Sequence, residues 1–185
     1  MIIFFDTETT GLDPNVHDII EIGAVALDDK CKPTNKTFHR RLIIQNPATV
    51  EQAALDINGY DPVVWEKSGI TASNGLSELN EWLKSVSPDS KPFMAATNAM
   101  FDKSFLYSNC DRFKIFPFVD NIWLDLYQIW MTYKMKKGLL SLGNSQEAIC
   151  NQFDVKNSKA HTALADASAG AECYYKIMEK LTFEK

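Results

Sequence analysis

The sequence predicts an α/β layer structure built on a mixed sheet, on three observations. Apolar runs with strand character crowd the first 44 residues, the hydrophobic period changes from two to about 3.6 after Val50, and one short apolar strand, Phe93 to Ala96, lies between helical stretches. With 185 residues, 45% of them apolar, the chain can bury one well-packed core. No repeat, low-complexity tract or Gly/Ser linker divides it, so a single domain over residues 1–185 is expected.

Ile2-Ile3-Phe4-Phe5 is a continuous apolar run ending at Asp6, followed by the breaker string Thr9-Thr10-Gly11-Leu12-Asp13-Pro14. This is the pattern of a buried strand entering a turn. Ile19 to Leu27 is apolar on both alternating sets, which places it inside the sheet. Asp28-Asp29-Lys30 reads as a hairpin-like turn, and Thr37 to Ile44 as a third strand. Short helical patterns follow from Val50, interrupted at Asn58-Gly59 and Pro62. Leu76, Leu79, Trp82 and Leu83 put a stripe on a helix that ends before Ser87-Pro88. Further helices are expected at 99–109, 121–135, 144–152 and 163–180. In the second of these, Trp123, Tyr127 and Trp130 read as a core stripe.

Composition excludes several classes of protein. The longest early apolar run is far too short for a membrane span or a signal-peptide core, so no membrane partner and a cytoplasmic setting are expected. The four cysteines form no CxxC pair, and with three histidines they offer no zinc-type cluster; reduced, structural thiols are the expectation. A net charge of -5 and a pI near 5.2 argue, by composition alone, against a protein that coats nucleic acid.

Asp6 and Glu8 stand two apart at the end of the first strand, so their side chains leave the same face and can converge on one ion. Hard carboxylate oxygens suit Mg²⁺ or Mn²⁺. Such a pair also occurs as solvated surface charge; the wholly apolar strand that feeds this one sets it over the sheet, where ligand sites of α/β proteins gather. Asp102 follows the Phe93 to Ala96 strand in the first turn of a helix, with Asn98 as the N-cap and Phe101, Phe105 and Leu106 on the core face. Alone it reads as an Asp compensating a helix dipole. His161 and Asp166 are five apart, and five helical steps would turn one from the other. Both can face one site only if His161 is on a loop, as polar Lys156 to Lys159 suggests, and Asp166 in the helix.

Taken in order, Asp6-Thr7-Glu8-Thr9-Thr10-Gly11-Leu12, Asn98-x-x-Phe101-Asp102 and His161-x4-Asp166 resemble the three motifs of the DEDDh 3′–5′ exonucleases, relatives of the proofreading subunit of bacterial replicative polymerase. Ile19-Ile20-Glu21-Ile22-Gly23-Ala24-Val25 also resembles that family's second strand. The resemblance implies a ribonuclease H-like fold, a five-stranded mixed sheet with an antiparallel second strand flanked by helices. It implies two divalent cations, Mg²⁺ or Mn²⁺, held by Asp6, Glu8, Asp102 and Asp166, with His161 as the base that takes a proton from the attacking water. It further implies release of nucleoside 5′-monophosphates from a single-stranded 3′ end, DNA favoured over RNA, and allows a polymerase partner. Thr7, Thr10, Gly11, Leu12, Asn58, Asn98 and Phe101 match substrate-side positions. Two bound cations would offset most of the net charge of -5, and a grip on a few terminal nucleotides needs few phosphate contacts.

Two departures bear on substrate rather than on the reaction. Thr97 stands where the family often has His, and Asn58-Gly59 where it often has His-Gly. Lys134, Lys136 and Lys137 are read as a solvated helix end that could also guide a strand. The competing readings are an RNA-trimming enzyme of the oligoribonuclease or RNase T type and a non-catalytic module that binds nucleic acid or a polymerase.

Overall fold

The computed structural model describes residues 1–157 and 160–181. Ser158 and Lys159, part of the loop expected at Lys156 to Lys159, lie outside the described residues. Five strands form one sheet in the order β3-β2-β1-β4-β5: β1 (Ile2–Thr9), β2 (Ile19–Leu27), β3 (Pro33–Arg41), β4 (Phe93–Ala96) and β5 (Trp123–Asp125). The β2 strand runs antiparallel to both β1 and β3, whereas β1, β4 and β5 are mutually parallel. This is the mixed sheet with an antiparallel second strand that the sequence leads one to expect.

β1 does not end at Asp6. Its ladder with β2 continues through Asp6↔Gly23 and Glu8↔Glu21 to Thr9↔Ile19, so backbone pairing carries polar residues that the apolar run does not reach. β2 is buried along its whole length between two neighbours, as its two apolar faces require. β3 begins four residues and ends three residues earlier than the expected Thr37 to Ile44. The hairpin pairs Leu27 with Pro33, and an edge strand tolerates Pro because its N–H side faces away from the ladder.

The helices are α1 (Gln52–Asn58), α2 (Pro62–Ser68), α3 (Ala72–Val86), α4 (Ala99–Arg112), α5 (Leu126–Lys137), α6 (Gln146–Gln152) and α7 (Ala163–Leu181), with a 3-10 turn at Pro47–Thr49 before them. Gly59 ends α1 in the left-handed conformation, φ 62°. Pro62 starts α2 rather than interrupting a helix: Asp61 accepts from the N–H groups of Val63 and Val64, and Pro fits the first turn. The helix expected at 121–135 is instead β5 followed by α5. Trp123, Leu124 and Asp125 pair with Met94, Ala95 and Ala96, and the Asp125 carboxylate caps α5 by accepting from Gln128 N–H. The expected stripe is therefore broken: Trp123 sits in a strand, Tyr127 is exposed and Trp130 is buried.

Strand alternation divides the core into two layers. Ile3 and Phe5 join Leu76, Leu79 and Leu83 of α3 and Phe105 and Leu106 of α4 on one side of the sheet. Phe4 joins Trp130 of α5, Ile149 of α6, and Ala167 and Ile177 of α7 on the other. Lys134 belongs to this second layer and not to a solvated helix end. It is 1% exposed, with Nζ donating to Leu142 O at 3.0 Å and to Asn144 Oδ1, beside the Trp130 ring. All four cysteines are free. Among the described residues no helix is long and apolar enough to cross a membrane.

Candidate active site

The parallel strands β1, β4 and β5 end on the same side of the sheet, the side on which open α/β sheets form clefts. Asp6 and Glu8 face the α7 layer there. Asp166, in the first turn of α7, joins them: one carboxylate oxygen from each of the three residues lies within 4.8 Å of the other two. Asp102 enters from the opposite layer in the first turn of α4 and is 4% exposed. Its Oδ1 accepts from Thr7 N–H at 3.0 Å and Thr7 Oγ1 at 2.9 Å, which ties motif to motif across 95 residues of sequence.

Carboxylates this close, Asp102 buried and the other three half-buried, resist ionisation together. Burial and then the charges of Asp102, Glu8, Asp166 and Glu21 push Asp6 well above the usual carboxylate range. Burial, followed by Asp166, Glu21 and Asp102, pushes Glu8 up to about 8. Burial lifts Asp102 to about 7 against the lowering effect of the Thr7 hydrogen bonds, with Asp125 adding to the rise. Such a donor set, oxygen only and under mutual repulsion, fits hard divalent cations.

Asp166 is held by its neighbours. Its Oδ2 accepts from His161 N–H at 2.8 Å, its Oδ1 accepts from Asn157 Nδ2, and its backbone O accepts from Gln146 Nε2 at 2.9 Å. His161 lies on the loop before α7, as the five-residue spacing requires, exposed and in a left-handed conformation, φ 67°. Thr7, Glu8, Gly11, Leu12, Asn58 and Phe101 line one hollow of about 260 Å³ together with residues of α1. Leu12 is 75% exposed. The turn that carries it packs on the buried His17 ring, and a Cβ on Gly11 would fall 2.5 Å from that ring. Asn58 donates to Thr9 O at 3.1 Å, while its Oδ1 is buried without a partner among the described residues.

Two of the expected substrate-side residues do not line this hollow. Thr10 is buried and hydrogen-bonds Asp18 N–H through Oγ1, and Asn98 is exposed and does not line the hollow. Nor does Asn98 cap α4 with its side chain; Asp125 Oδ2 does so, accepting from Ala99 N–H at 2.9 Å. Three residues outside the expected site set touch the helix turns that carry Asp102 and Asp166: Asp125 accepts from Ala99 N–H of α4, Gln146 donates to Asp166 O, and Glu21 accepts from Ala163 N–H of α7. Glu21 carried a signal, as the one charge in an apolar strand whose hairpin register sets it opposite Glu8.

The family model RNase_T, described as an exonuclease, matches residues 3–174. The chain is 31% identical over 97% of its length to a PolC-type DNA polymerase III from Caldanaerobacter subterraneus subsp. tengcongensis, of which it spans 12%. It is 31% identical over 93% of its length to the DNA polymerase III subunit epsilon of Rickettsia typhi, spanning 71% of that protein. Ribonuclease T of Wigglesworthia glossinidia brevipalpis is 28% identical over 96% of the chain, which spans 84% of it. In fold, the nuclease domain of 3′hExo, a DEDDh family member, superposes with a TM-score of 0.79 at 16% identity, covering 97% of this chain and 92% of that one. The chain belongs to the family of DEDDh 3′–5′ exonucleases with a ribonuclease H-like fold that includes ribonuclease T and the epsilon subunit of DNA polymerase III.

Proposed function

We propose that residues 1–185 form one catalytic domain that shortens single-stranded DNA from its 3′ end and releases nucleoside 5′-monophosphates. In this reading Asp6, Glu8, Asp102 and Asp166 hold two divalent cations, Mg²⁺ or Mn²⁺, and His161 is the general base. The observation that carries it is the convergence of Asp6, Glu8 and Asp166 within 4.8 Å at the strand ends, with Asp102 charged against them from α4. When bound, such cations lower the pKa of the attacking water and neutralise the departing 3′ oxygen.

The protein's own residues do the rest. Asp6 and Glu8 give up their protons to become ligands, so the site is competent only once the repulsion among them is offset. His161, on its loop, accepts the proton of the attacking water as general base. Leu12 and Phe101 offer apolar surface to the terminal bases, and a base stacked on an aromatic ring gains ~1 to 3 kcal/mol. Asn58 Oδ1, a buried acceptor without a partner among the described residues, takes a hydrogen bond from a sugar hydroxyl of the terminal nucleotide.

Likeness to a polymerase and to a polymerase subunit supports DNA as substrate and a polymerase as partner. A second reading, trimming of RNA 3′ ends, is favoured by the ribonuclease T relatives. A panel of 5′-labelled oligonucleotides decides between them. Single-stranded DNA should give a ladder shortening from the 3′ end, faster than matched RNA, and faster than a blunt duplex, whose ends cost a few kcal/mol to unpair. A labelled mononucleotide as first product, or cuts in a circular single strand, would refute the polarity. Faster trimming of RNA would select the second reading.

A further inference from the structure

Glu21 is the only charged residue of β2 and is 1% exposed. Its Oε1 lies 2.7 Å from His39 Nε2 and 3.5 Å from Arg41 Nε, both on the neighbouring strand β3. Its Oε2 accepts the N–H of Ala163, the first residue of α7, at 2.9 Å. That N–H is one of the four a helix leaves unsatisfied at its start, and a carboxylate there also meets the positive end of the helix dipole. Two residues along, Gly23 lets the backbones touch: a Cβ on Gly23 would sit 2.2 Å from the Ala163 carbonyl carbon. The strand that pairs Glu21 with Glu8 is therefore clamped to the helix turn that carries Asp166.

We infer that Glu21 is a positioning residue of the carboxylate cluster: it ties the first turn of α7 to β2 and so fixes Asp166 against Asp6 and Glu8, through reach rather than through charge. The inference rests on the reading that these three carboxylates hold a cation. His39 and Arg41 orient the carboxylate of Glu21 from the strand side, leaving Oε2 for the helix. From the other side His161 N–H and Asn157 hold the two oxygens of Asp166.

Two conservative variants separate reach from charge. Glu21→Gln keeps the length and an acceptor for Ala163, with its NH₂ toward His39, but loses the charge. Glu21→Asp keeps the charge but falls short of Ala163. Mn²⁺ alone is titrated into each full-length protein by calorimetry, and amide exchange at residues 163–166 is followed in chelator. Glu21→Asp should weaken Mn²⁺ binding about tenfold, within the range for a lost outer-shell partner, and speed exchange at 163–166 about tenfold while β3 exchanges at the wild-type rate. Glu21→Gln should stay within about threefold of wild type on both readouts. Gly23→Ala, which pushes α7 off β2 with Glu21 intact, should weaken Mn²⁺ in the same sense and serves if Glu21→Asp does not fold. Weaker Mn²⁺ binding by Glu21→Gln than by Glu21→Asp, wild-type affinity in all three variants, or exchange that rises equally in β3 would overturn the inference alone. A wild-type protein that binds no Mn²⁺ would overturn the metal reading and the inference with it.

Discussion

Each single change of Asp6, Glu8, Asp102 or Asp166 to Ala is expected to abolish hydrolysis. Asp6→Ala and Glu8→Ala relieve crowding among the carboxylates and should leave the melting temperature in chelator equal to wild type or higher, whereas Asp102→Ala strands the Thr7 donors and Asp166→Ala the His161 N–H, so these two should melt lower. A variant that keeps more than about a tenth of the wild-type rate would remove that residue from the ligand set. The same repulsion gives a pH signature. Glu8 is raised from 4.5 to about 8 and Asp102 from 3.8 to about 7, so across that window the folded state holds more protons than the unfolded state. Stability of the metal-free protein must then fall as pH rises. Thermal melts in chelator should show the protein more stable near pH 5.5 than near pH 8.5, with Mg²⁺ reversing the trend; a flat profile in chelator would contradict the cluster. For His161→Gln the expected loss is roughly 10² to 10⁴ in rate, the usual worth of a positioned general base, with Mn²⁺ affinity little changed. Collapse of metal binding in that variant would make His161 a ligand.

Among the elements, β5 and its capping Asp125 carry the next expectation. Asp125 closes the start of α5 through Gln128 N–H and the start of α4 through Ala99 N–H, three residues before Asp102. Asp125→Ala should therefore cost about 1 to 2 kcal/mol per lost cap in urea denaturation, and lower the rate through displacement of Asp102. Unchanged stability would mean the caps contribute nothing. This element was also the least legible in the sequence: a three-residue strand has no period of its own, and Trp123, Tyr127 and Trp130 imitate a helical stripe that pairing with β4 interrupts. β2 and β4, by contrast, were fully legible, because strands largely buried on both faces read as nearly continuous apolar runs. Lys134 misled for a related reason, since its stem and ammonium are satisfied by Leu142, Asn144 and Trp130, partners that no local pattern announces. Within the site, the chemistry-bearing carboxylates could be read from spacing and motif order. The residues that hold them in place, Glu21, Gln146 and Asp125, depend on contacts between distant segments and emerge only once the sheet is assembled.

For the whole molecule, the mixed sheet gathers the ends of three parallel strands and the first turns of α4 and α7 at one edge, which explains how residues from 6 to 166 reach one site. The acidic balance of the chain does not oppose binding of an anionic polymer if cations are resident, and affinity should then depend on metal at least as strongly as on salt. The measurement that tests the central claim most directly is hydrolysis of a 5′-labelled single-stranded DNA oligonucleotide through a cycle of chelation and repletion. Activity should vanish in excess chelator and return with Mg²⁺ or Mn²⁺, giving nucleoside 5′-monophosphates and a ladder that shortens from the 3′ end, and the Asp6→Ala variant should stay silent throughout. Hydrolysis that persists in excess chelator, or equal activity in Asp6→Ala, would contradict it.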